Sequence, residues 1–197
     1  EFNPEDMYAD DDMVITISHL GYIKRTPLAD FRQQGRGGIG AKAGAARDED
    51  FIEYVHQANM HSTMMFFTEQ GRLYWTKVYE LPEGNRQSKG RALQNMINIQ
   101  KGDKVCAFIH VKNLSDMEYV QNHYLIFATK NGLMKKTTLE SYSRPRANGI
   151  IALGLREDDR LIRVTLTDGN SQMLVASYNG KVVRFPEDTV RPMGRTA

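Results

Sequence analysis

The chain has 197 residues, of which 41% are hydrophobic and 25% are charged. This length and composition are those of a globular protein with a buried core. No apolar run reaches the roughly 18 residues of a membrane-spanning helix, and the first residues lack the pattern of a secretory signal peptide. The single cysteine, Cys106, excludes an internal disulfide framework and favours a reducing cytoplasm.

The formal net charge of +2 at pH 7 is unevenly distributed along the chain. Residues 1–12 hold six acidic side chains and no basic one, so the remaining residues carry a formal +8. A body with this charge favours a polyanion as its partner. We expect residues 1–12 to be an acidic linker. Because the first residue is Glu1, we also expect the sequence to begin inside a longer protein.

From residue 13 onward the chain repeats one design four times: an apolar run, a tight turn that ends in glycine, and a strand with basic residues near its middle. The turn glycines are Gly21, Gly71, Gly132 and Gly180. Asn-Gly pairs at 131–132 and 179–180 predict hairpins with a type I′ turn, in which both residues have a positive φ. We place the repeats at residues 13–60, 61–121, 122–170 and 171–197, the last of them partial.

Each of the first three hairpins is followed by a short turn-like segment, an arm that contains glycine and arginine, and a further strand. An acid begins that strand: Asp50, Asp103 and Asp159. With roughly four strands per repeat and no helix-period segment of useful length, the sequence predicts an all-β, propeller-like fold of four-stranded blades. Three blades and part of a fourth cannot close a ring, so we expect the chain to be a piece of a larger wheel.

The arms and hairpins carry the candidate binding residues. Clustered glycines let backbone N–H groups converge on an anion, and arginine adds bidentate bonds to phosphate. The first arm lacks the Lys-Ser/Thr ending of a nucleotide-binding P-loop. The candidates on the hairpins are Lys24, Arg25, Arg72, Lys77, Lys135, Lys136, Lys181 and Arg184. Those on the arms are Arg32, Gln34, Arg36, Gly37, Gly38, Gly40, Lys42, Arg86, Lys89, Arg91, Arg144, Arg146 and Arg191.

Repetition predicts how these residues are arranged. Equivalent positions of a radial repeat lie at equivalent places around its rim, so we expect the cations to form a curved basic track. Such a track bends duplex DNA through contacts with its phosphates, and shape rather than base contacts supplies the selectivity. No residue is predicted to be catalytic, and the five histidines lack metal-ligand spacing. Phe66, Phe67 and Trp75 are predicted to be core side chains.

Three stretches and one motif carry a family resemblance. The stretches are Asp12–Leu28, Gly71–Pro82 and Gly180–Phe185. The motif, residues 34–40, keeps five of the seven positions of the GyrA box, written in the family as Gln-Arg-Arg-Gly-Gly-Lys-Gly. Gly35 and Ile39 replace an Arg and a Lys, and these two lost charges weaken the expected grip on phosphate. Over essentially its whole length, the chain therefore resembles the β-pinwheel that forms the C-terminal domain of the gyrase A family.

The resemblance implies a non-catalytic domain that wraps double-stranded DNA around its rim, so that an ATP-dependent type II topoisomerase, DNA gyrase, introduces negative supercoils. The domain would hold no cofactor, since ATP and Mg²⁺ act on other domains and the catalytic tyrosine lies upstream. Its partners would be the rest of the gyrase A subunit together with the gyrase B subunit in an A2B2 heterotetramer. The resemblance implies a place at the nucleoid in the cytoplasm, with no membrane contact.

Two alternatives remain open at this stage. The C-terminal domain of topoisomerase IV shares the repeats but lacks an intact box, so the partly kept box favours gyrase. A propeller that serves only protein–protein contacts would have an apolar or mixed rim, where this sequence has arginine and lysine.

Overall fold

The computed structural model describes residues 2–31 and 50–197. Within them the strands are β1 (Asp12–Ser18), β2 (Tyr22–Pro27), β3 (Ile52–Asn59), β4 (Thr63–Thr68), β5 (Arg72–Lys77), β6 (Arg91–Ala92), β7 (Val105–Val111), β8 (Tyr124–Thr129), β9 (Met134–Thr138), β10 (Ile150–Ile151), β11 (Leu161–Thr167), β12 (Gln172–Ala176) and β13 (Val182–Pro186). Helix α1 is Met117–Asn122, and short 3-10 helices cover Pro4–Met7, Leu28–Asp30, Val78–Glu80, Leu93–Asn95, Leu139–Tyr142 and Glu187–Thr189.

The strands form small sheets around the hairpins. Their orders are β3-β1-β2-β6, β10-β5-β4-β7, β11-β8-β9 and β12-β13. In the first three sheets the strand after the arm (β3, β7 or β11) pairs with the first strand of its own hairpin. Strands dominate the described part of the chain, and α1 is a short exception. The predicted all-β, pinwheel-type fold is confirmed.

The fourth strand of the first two sheets comes from the arm of the following repeat. Strand β6 pairs with β2, where Ile23 faces Arg91, and these partners are 68 positions apart along the chain. Strand β10 pairs with β5, where Leu73 faces Ile150 at a separation of 77 positions. These two sheets are therefore offset from the sequence repeat. Reasoning from the sequence missed this offset because two-residue strands leave no hydrophobic period.

Every hairpin turns through the pattern Ser/Thr-x-x-Gly. The carbonyl of Ser18 accepts the N–H of Gly21 (2.9 Å), and its hydroxyl accepts the N–H of the next residue (3.1 Å). The same two bonds recur at Thr68, Thr129 and Ser177. The turn glycines have φ of 75° to 84°, and no other residue type in the described ranges has a positive φ. The hairpins at 131–132 and 179–180 are confirmed, but their type I′ geometry is wrong: a turn precedes one left-handed glycine.

The repeated acids lie two residues before β3, β7 and β11 and cap these turns. Asp50 accepts the N–H of Leu20 (3.0 Å) through Oδ1, and Asp103 accepts that of Gln70 (3.1 Å) in the same way. Asp159 makes the equivalent bond in the third repeat, at 3.0 Å. Each carboxylate also accepts the N–H of its own next residue. The repeated acid thus ties the strand after the arm to the turn of its hairpin.

Residue contacts divide the chain into two compact units. The first comprises the described residues of 1–64, 75–99 and 110–113. The apolar face of its first hairpin forms much of its core, in which Met13, Ile15, Ile17, Ile23 and Val78 are buried.

The second unit comprises residues 65–74, 100–109 and 114–197. Its core contains two edge-to-face ring pairs: Phe66 packs on Phe108 with centroids 5.5 Å apart, and Phe67 packs on Phe127 at 5.6 Å. The hydroxyl of the buried Tyr142 donates to the carbonyl of Ala152 (2.7 Å). The core prediction is confirmed for Phe66 and Phe67, both fully buried. Trp75, in the first unit, is half-buried.

Candidate nucleic-acid interface

Lys24, on β2, has its ammonium inside the first unit. The ammonium donates to the carbonyl oxygens of Asn85 (2.9 Å), Arg86 (3.2 Å) and Ser88 (2.9 Å). An ammonium has three N–H donors, so this set of acceptors uses all of them. Burial lowers the pKa of Lys24 from its ordinary value.

Arg25, the next residue on β2, is also bonded within the first unit. Its Nε donates to the carbonyl of Leu81 (2.9 Å), and its Nη1 pairs with Oε2 of Glu83 (3.0 Å). The backbone continues the contact, since the N–H of Arg25 donates to Pro82 and its carbonyl accepts from Gly84 (both 2.9 Å). Arg25 therefore joins β2 to the start of the second arm.

Lys135 and Lys136, on β9, occupy the equivalent positions in the second unit. The ammonium of Lys135 donates to the carbonyls of Arg195 and, at 3.2 Å, of Ala197. Burial, and to a smaller degree the nearby charge of Arg195, lowers the pKa of Lys135 to about 8. The ammonium of Lys136 pairs with Oε1 of the buried Glu187 (3.2 Å) and lies 4.3 Å from the centroid of the Tyr124 ring.

These four hairpin cations were predicted to contact phosphates, but their side chains are buried inside the protein. Lys24, Arg25, Lys135 and Lys136 are only 2% to 7% exposed, and each has at least one donor bonded to a carbonyl or carboxylate oxygen. A DNA phosphate would have to displace those internal acceptors. We therefore assign the four side chains to the joining of arms to hairpins and remove them from the proposed DNA contacts.

Two cations of the second arm lie on aromatic rings of the first unit. The guanidinium of Arg86 is 4.9 Å from the ring centroid of Phe31 and donates to the carbonyl of Asp30. The ammonium of Lys89 is 3.7 Å from the centroid of Tyr22. Cation–π contacts of this kind hold the charge in place without neutralising it. Both cations can therefore still attract a phosphate.

Two further hairpin candidates have partners near the surface. In the second unit, Arg72 donates to the carbonyl of Asn148 (3.1 Å) and to the hydroxyl of Tyr74 (3.2 Å). In the first unit, the ammonium of Lys77 pairs with Glu5 and donates to the carbonyl of His61 (3.3 Å). Lys77 is thus partly neutralised by the acidic start of the chain.

The contact with Lys77 is one of several between residues 2–11 and the rest of the first unit. The ring of Tyr8 stacks on Tyr79 with centroids 4.9 Å apart, and the carbonyl of Tyr8 bonds Nε2 of His61 (2.7 Å). The carboxylate of Asp10 accepts the N–H of His61 (3.1 Å). These contacts place the acidic segment beside a candidate DNA contact.

The remaining candidates fall into two groups. Six are exposed: Arg91, Arg144, Arg146, Lys181, Arg184 and Arg191. Seven lie outside the described residues: Arg32, Gln34, Arg36, Gly37, Gly38, Gly40 and Lys42. The GyrA box belongs to the second group.

Reasoning from the sequence passed over a further set of basic residues in the second unit. Arg156, Arg160 and Arg163 are exposed between β10 and the middle of β11. Three arginines within eight positions could have indicated a basic patch. The segment was interpreted only as a strand, so its charge was not considered. Arg195 belongs to the predicted fourth arm but was not among the candidate contacts, and its guanidinium donates to the carbonyl of Ile151.

The described residues lack the features of a metal site, of a membrane-spanning helix and of a reactive thiol. Across 2–31 and 50–197, no group of three or more His, Cys, Asp or Glu side chains could hold a metal ion. No helix in that part of the chain is long and apolar enough to cross a membrane. The Cys106 thiol has its pKa raised to about 12, mainly by burial and then by the charges of Glu69 and Asp103, so it is a poor nucleophile at neutral pH.

The fold consists of hairpin-centred sheets, two of which are completed by a strand from the next repeat. Its arms are rich in exposed cations. These features define a propeller-type repeat domain with a basic surface. The family model described as "DNA gyrase C-terminal domain, beta-propeller" matches residues 12–59, 62–112, 123–168 and 172–197. The chain belongs to this family.

Curated relatives agree with this assignment, and solved structures agree with the fold. The DNA gyrase A subunit of Haemophilus influenzae is 45% identical over 98% of this chain, and that of Salmonella typhimurium is 44% identical over all of it. The chain spans only 21% and 22% of those proteins. A crystal structure of the C-terminal domain of DNA topoisomerase IV is similar with a TM-score of 0.76 and 28% identity, over 96% of this chain and 56% of that one. A DNA gyrase A C-terminal domain gives a TM-score of 0.71 at 21% identity, over 94% and 58%.

Proposed function

We propose that the chain is the non-catalytic, DNA-wrapping domain of a DNA gyrase A subunit. The observation that carries the proposal is the family match, which extends through every one of the four repeats. The curated relatives quoted above are both gyrase A subunits, and this supports gyrase over topoisomerase IV.

Exposed cations of the arms supply the proposed contacts with DNA. Arg91, Arg144, Arg146 and Arg191 are at the surface. Arginine binds phosphate oxygens bidentately, and such contacts are nearly independent of base sequence. We propose that Lys181, Arg184 and the candidates of the first arm contact phosphates of the bound duplex in the same way.

Binding of this type contributes to gyrase only within the whole enzyme. We propose that a duplex wrapped on this domain is presented for strand passage by the rest of the A subunit with the B subunit, in an A2B2 assembly at the nucleoid. ATP and Mg²⁺ would act on other domains, and this chain would supply binding and geometry alone. The handedness of the wrap would determine the sign of the supercoils.

A topological assay tests the wrapping of DNA. The full-length protein, without its B partner and without ATP, is bound to relaxed circular DNA, which is then treated with a type I topoisomerase and deproteinised. We expect a shift in linking number that grows with protein and has one sign, because wrapping traps writhe. An unchanged linking number at saturating protein would contradict wrapping, even if the DNA is bound.

Charge-removal variants test whether the contacts are with phosphates. The slope of log K against log salt is negative. We expect Arg146→Ala and Arg36→Ala each to reduce its magnitude by about 0.9, since each removes one phosphate contact. The loss of affinity should be similar for duplexes of unrelated sequence. Lys112→Ala removes an exposed charge outside the proposed set and serves as the control. A loss confined to one DNA sequence would identify a base reader instead.

A further inference from the structure

We propose that Lys24 is a positioning residue for the second arm, defined as residues 83–91. Its ammonium gathers three carbonyl groups of this arm and so holds the backbone from which Lys89 and Arg91 project. The effect on DNA rests on the proposed function, whereas the ordering of the arm does not.

The loop of the second arm is bent so that its carbonyls converge on Lys24. The side-chain oxygen of Asn85 accepts the N–H groups of Gln87 and Ser88 (both 2.9 Å), and the hydroxyl of Ser88 donates to the carbonyl of Asn85 (2.9 Å). Three carbonyl oxygens that point at one spot repel each other unless a cation lies between them. The ammonium of Lys24 occupies that spot and donates to each of them.

Two glycines let the loop close around the stem of Lys24. A Cβ added at Gly84 would lie 3.2 Å from Cδ of Lys24 and 2.1 Å from the hydroxyl of Ser88. One added at Gly90, which has a φ of 83°, would lie 3.1 Å from Cβ of Lys24 and 2.3 Å from the carbonyl oxygen of Ile23. The path of the arm is therefore fitted closely to this lysine and its strand.

The arm held in this way carries cations that are already oriented. Lys89 lies over Tyr22, two positions from Lys24 on β2, and Arg86 lies over Phe31. A preorganised arm loses little side-chain and loop freedom when it binds a partner, and binding is tighter for that reason. Loss of the Lys24 ammonium should loosen the arm while leaving its own charges intact.

The same position has the same role in the third repeat. Lys135, like Lys24, is the third residue after its turn glycine, and its ammonium donates to the carbonyls of Arg195 and Ala197. In the second repeat this position is Tyr74, whose ring packs against Gly149; a Cβ there would lie 2.7 Å from Cε1 of the ring. A role that recurs with different arm sequences belongs to the position.

Hydrogen exchange on the full-length protein tests the ordering of the arm. Lys24→Met keeps the apolar stem and removes the ammonium, and Lys112→Met removes an exposed charge from the same unit as a matched control. We expect amides of residues 84–91 to exchange about tenfold faster in Lys24→Met and to be unchanged in Lys112→Met. Unchanged exchange in both variants would overturn the proposal.

DNA binding by the same variants separates positioning from direct contact. We expect Lys24→Met to bind duplex DNA about tenfold more weakly, because the arm must then be ordered on binding. Its slope of log K against log salt should equal that of the parent. A slope smaller by about 0.9 with unchanged exchange of the arm would make Lys24 a phosphate contact and overturn the proposal. Faster exchange in a protein that does not bind DNA would support positioning and contradict the proposed function alone.

A measurement on the unsubstituted protein covers the case in which Lys24→Met does not fold. Limited acetylation labels accessible lysines, and mass spectrometry locates them. We expect low labelling of Lys24 with and without DNA, and DNA-dependent protection of Lys89. Ready labelling of Lys24 that DNA suppresses would contradict the proposed role.

Discussion

At the scale of single residues, the aspartates just before β3, β7 and β11 accept two backbone N–H groups each. Each lies two residues before its strand, caps the hairpin turn through Oδ1, and also accepts the N–H of its own next residue. Burial alone would raise the pKa of Asp50, but N–H groups of Leu20 and Phe51, the hydroxyl of Ser18 and the charge of His19 together hold it below the ordinary 3.8. Asp159 has its pKa lowered against the same effect of burial by the hydroxyl of Thr129 and by two backbone N–H groups.

A lowered carboxyl pKa makes stability depend on pH in a defined window. The folded state favours the ionised form, so Asp50 contributes its full stabilisation above pH 3.8 and loses it as the pH falls through its lower folded-state pKa. We expect Asp50→Asn to reduce the free energy of unfolding at pH 7 by about 0.5–1 kcal/mol, a small value because the carboxylate is near solvent. Urea denaturation at pH 7 and pH 3 measures this, with exposed Asp11→Asn as control.

The expected difference between Asp50→Asn and the parent shrinks at pH 3, where the parent carboxyl is becoming protonated. An equal difference at both pH values would show that the charge of the cap contributes nothing.

Buried cations show where reasoning about single residues from sequence is insufficient. Lys24 and Lys181 look alike in the sequence, each near the middle or start of a hairpin strand. Their surroundings differ because the carbonyls that bind Lys24 come from a distant arm, at separations of 61 to 64 residues. A pattern within one repeat contains no information about that distant loop. The exposed arginines of the arms needed no such partner and could be predicted.

At the scale of elements, the two-residue strands β6 and β10 depend on the glycine before each of them. Gly149 precedes β10 and has a φ of 70°, and a Cβ there would lie 2.6 Å from the carbonyl oxygen of Leu73. Gly132, in the same unit, has a φ of 83° with no atom within 4 Å of an added Cβ. An alanine at either position would have a strained, left-handed backbone. Only at Gly149 would its Cβ also clash with neighbouring atoms.

This pair of glycines gives a matched test. We expect Gly132→Ala to lower the free energy of unfolding by about 1 kcal/mol, the penalty of a left-handed conformation. Gly149→Ala should lower it by a further 1–3 kcal/mol or so, because the β10 backbone must move away from β5. Chemical denaturation of both variants checks the difference. Equal effects would mean that the close approach of β10 to β5 contributes no stability.

Elements with a clear period were predictable and short ones were not. The apolar runs at β4 and β8 and the turn glycines gave the hairpins directly. The helix α1 has six residues, too few for a period, and its one local signal was Asp116, which accepts the N–H of Tyr119 as an N-cap. The type I′ turn was wrong because the Asn-Gly pair has the same statistical signal in a longer loop, where only glycine is left-handed.

At the scale of the whole molecule, the acidic residues 1–12 and the basic remainder of the chain have opposite effects on the binding of a polyanion. Residues 1–12 hold six acids, and the first unit holds this segment through Tyr8 and Glu5, the latter paired with Lys77. A duplex that approaches Lys77 would compete with the carboxylate of Glu5. The formal +2 of the chain therefore understates the charge available to a polyanion once the segment is displaced.

Removal of the segment tests this opposition. We expect deletion of residues 2–11 to tighten DNA binding several-fold at low salt, and the gain to shrink as salt screens the added charge. Glu5→Gln should reproduce part of the gain by releasing Lys77. Lys77→Ala in the deleted protein should abolish that part. Equal affinity with and without the segment, measured by fluorescence anisotropy across a salt series, would contradict the idea.

The whole fold was predictable to the level of a repeated four-stranded architecture and its family, because four copies of one pattern reinforce each other. The offset of the first two sheets by one arm was not, since it depends on backbone pairing between distant residues such as Ile23 and Arg91.

The borrowed strands impose an order of events on a chain emerging from the ribosome. The first sheet cannot be completed until residue 92 has left the exit tunnel, and the second must wait for residue 151. During that interval the nascent chain exposes one unpaired strand edge at β2 or β5, a site where strands of neighbouring nascent chains could pair wrongly. Slow translation across the arms would prolong this exposure, whereas rapid synthesis through Arg91–Ala92 and Ile150–Ile151 would shorten it.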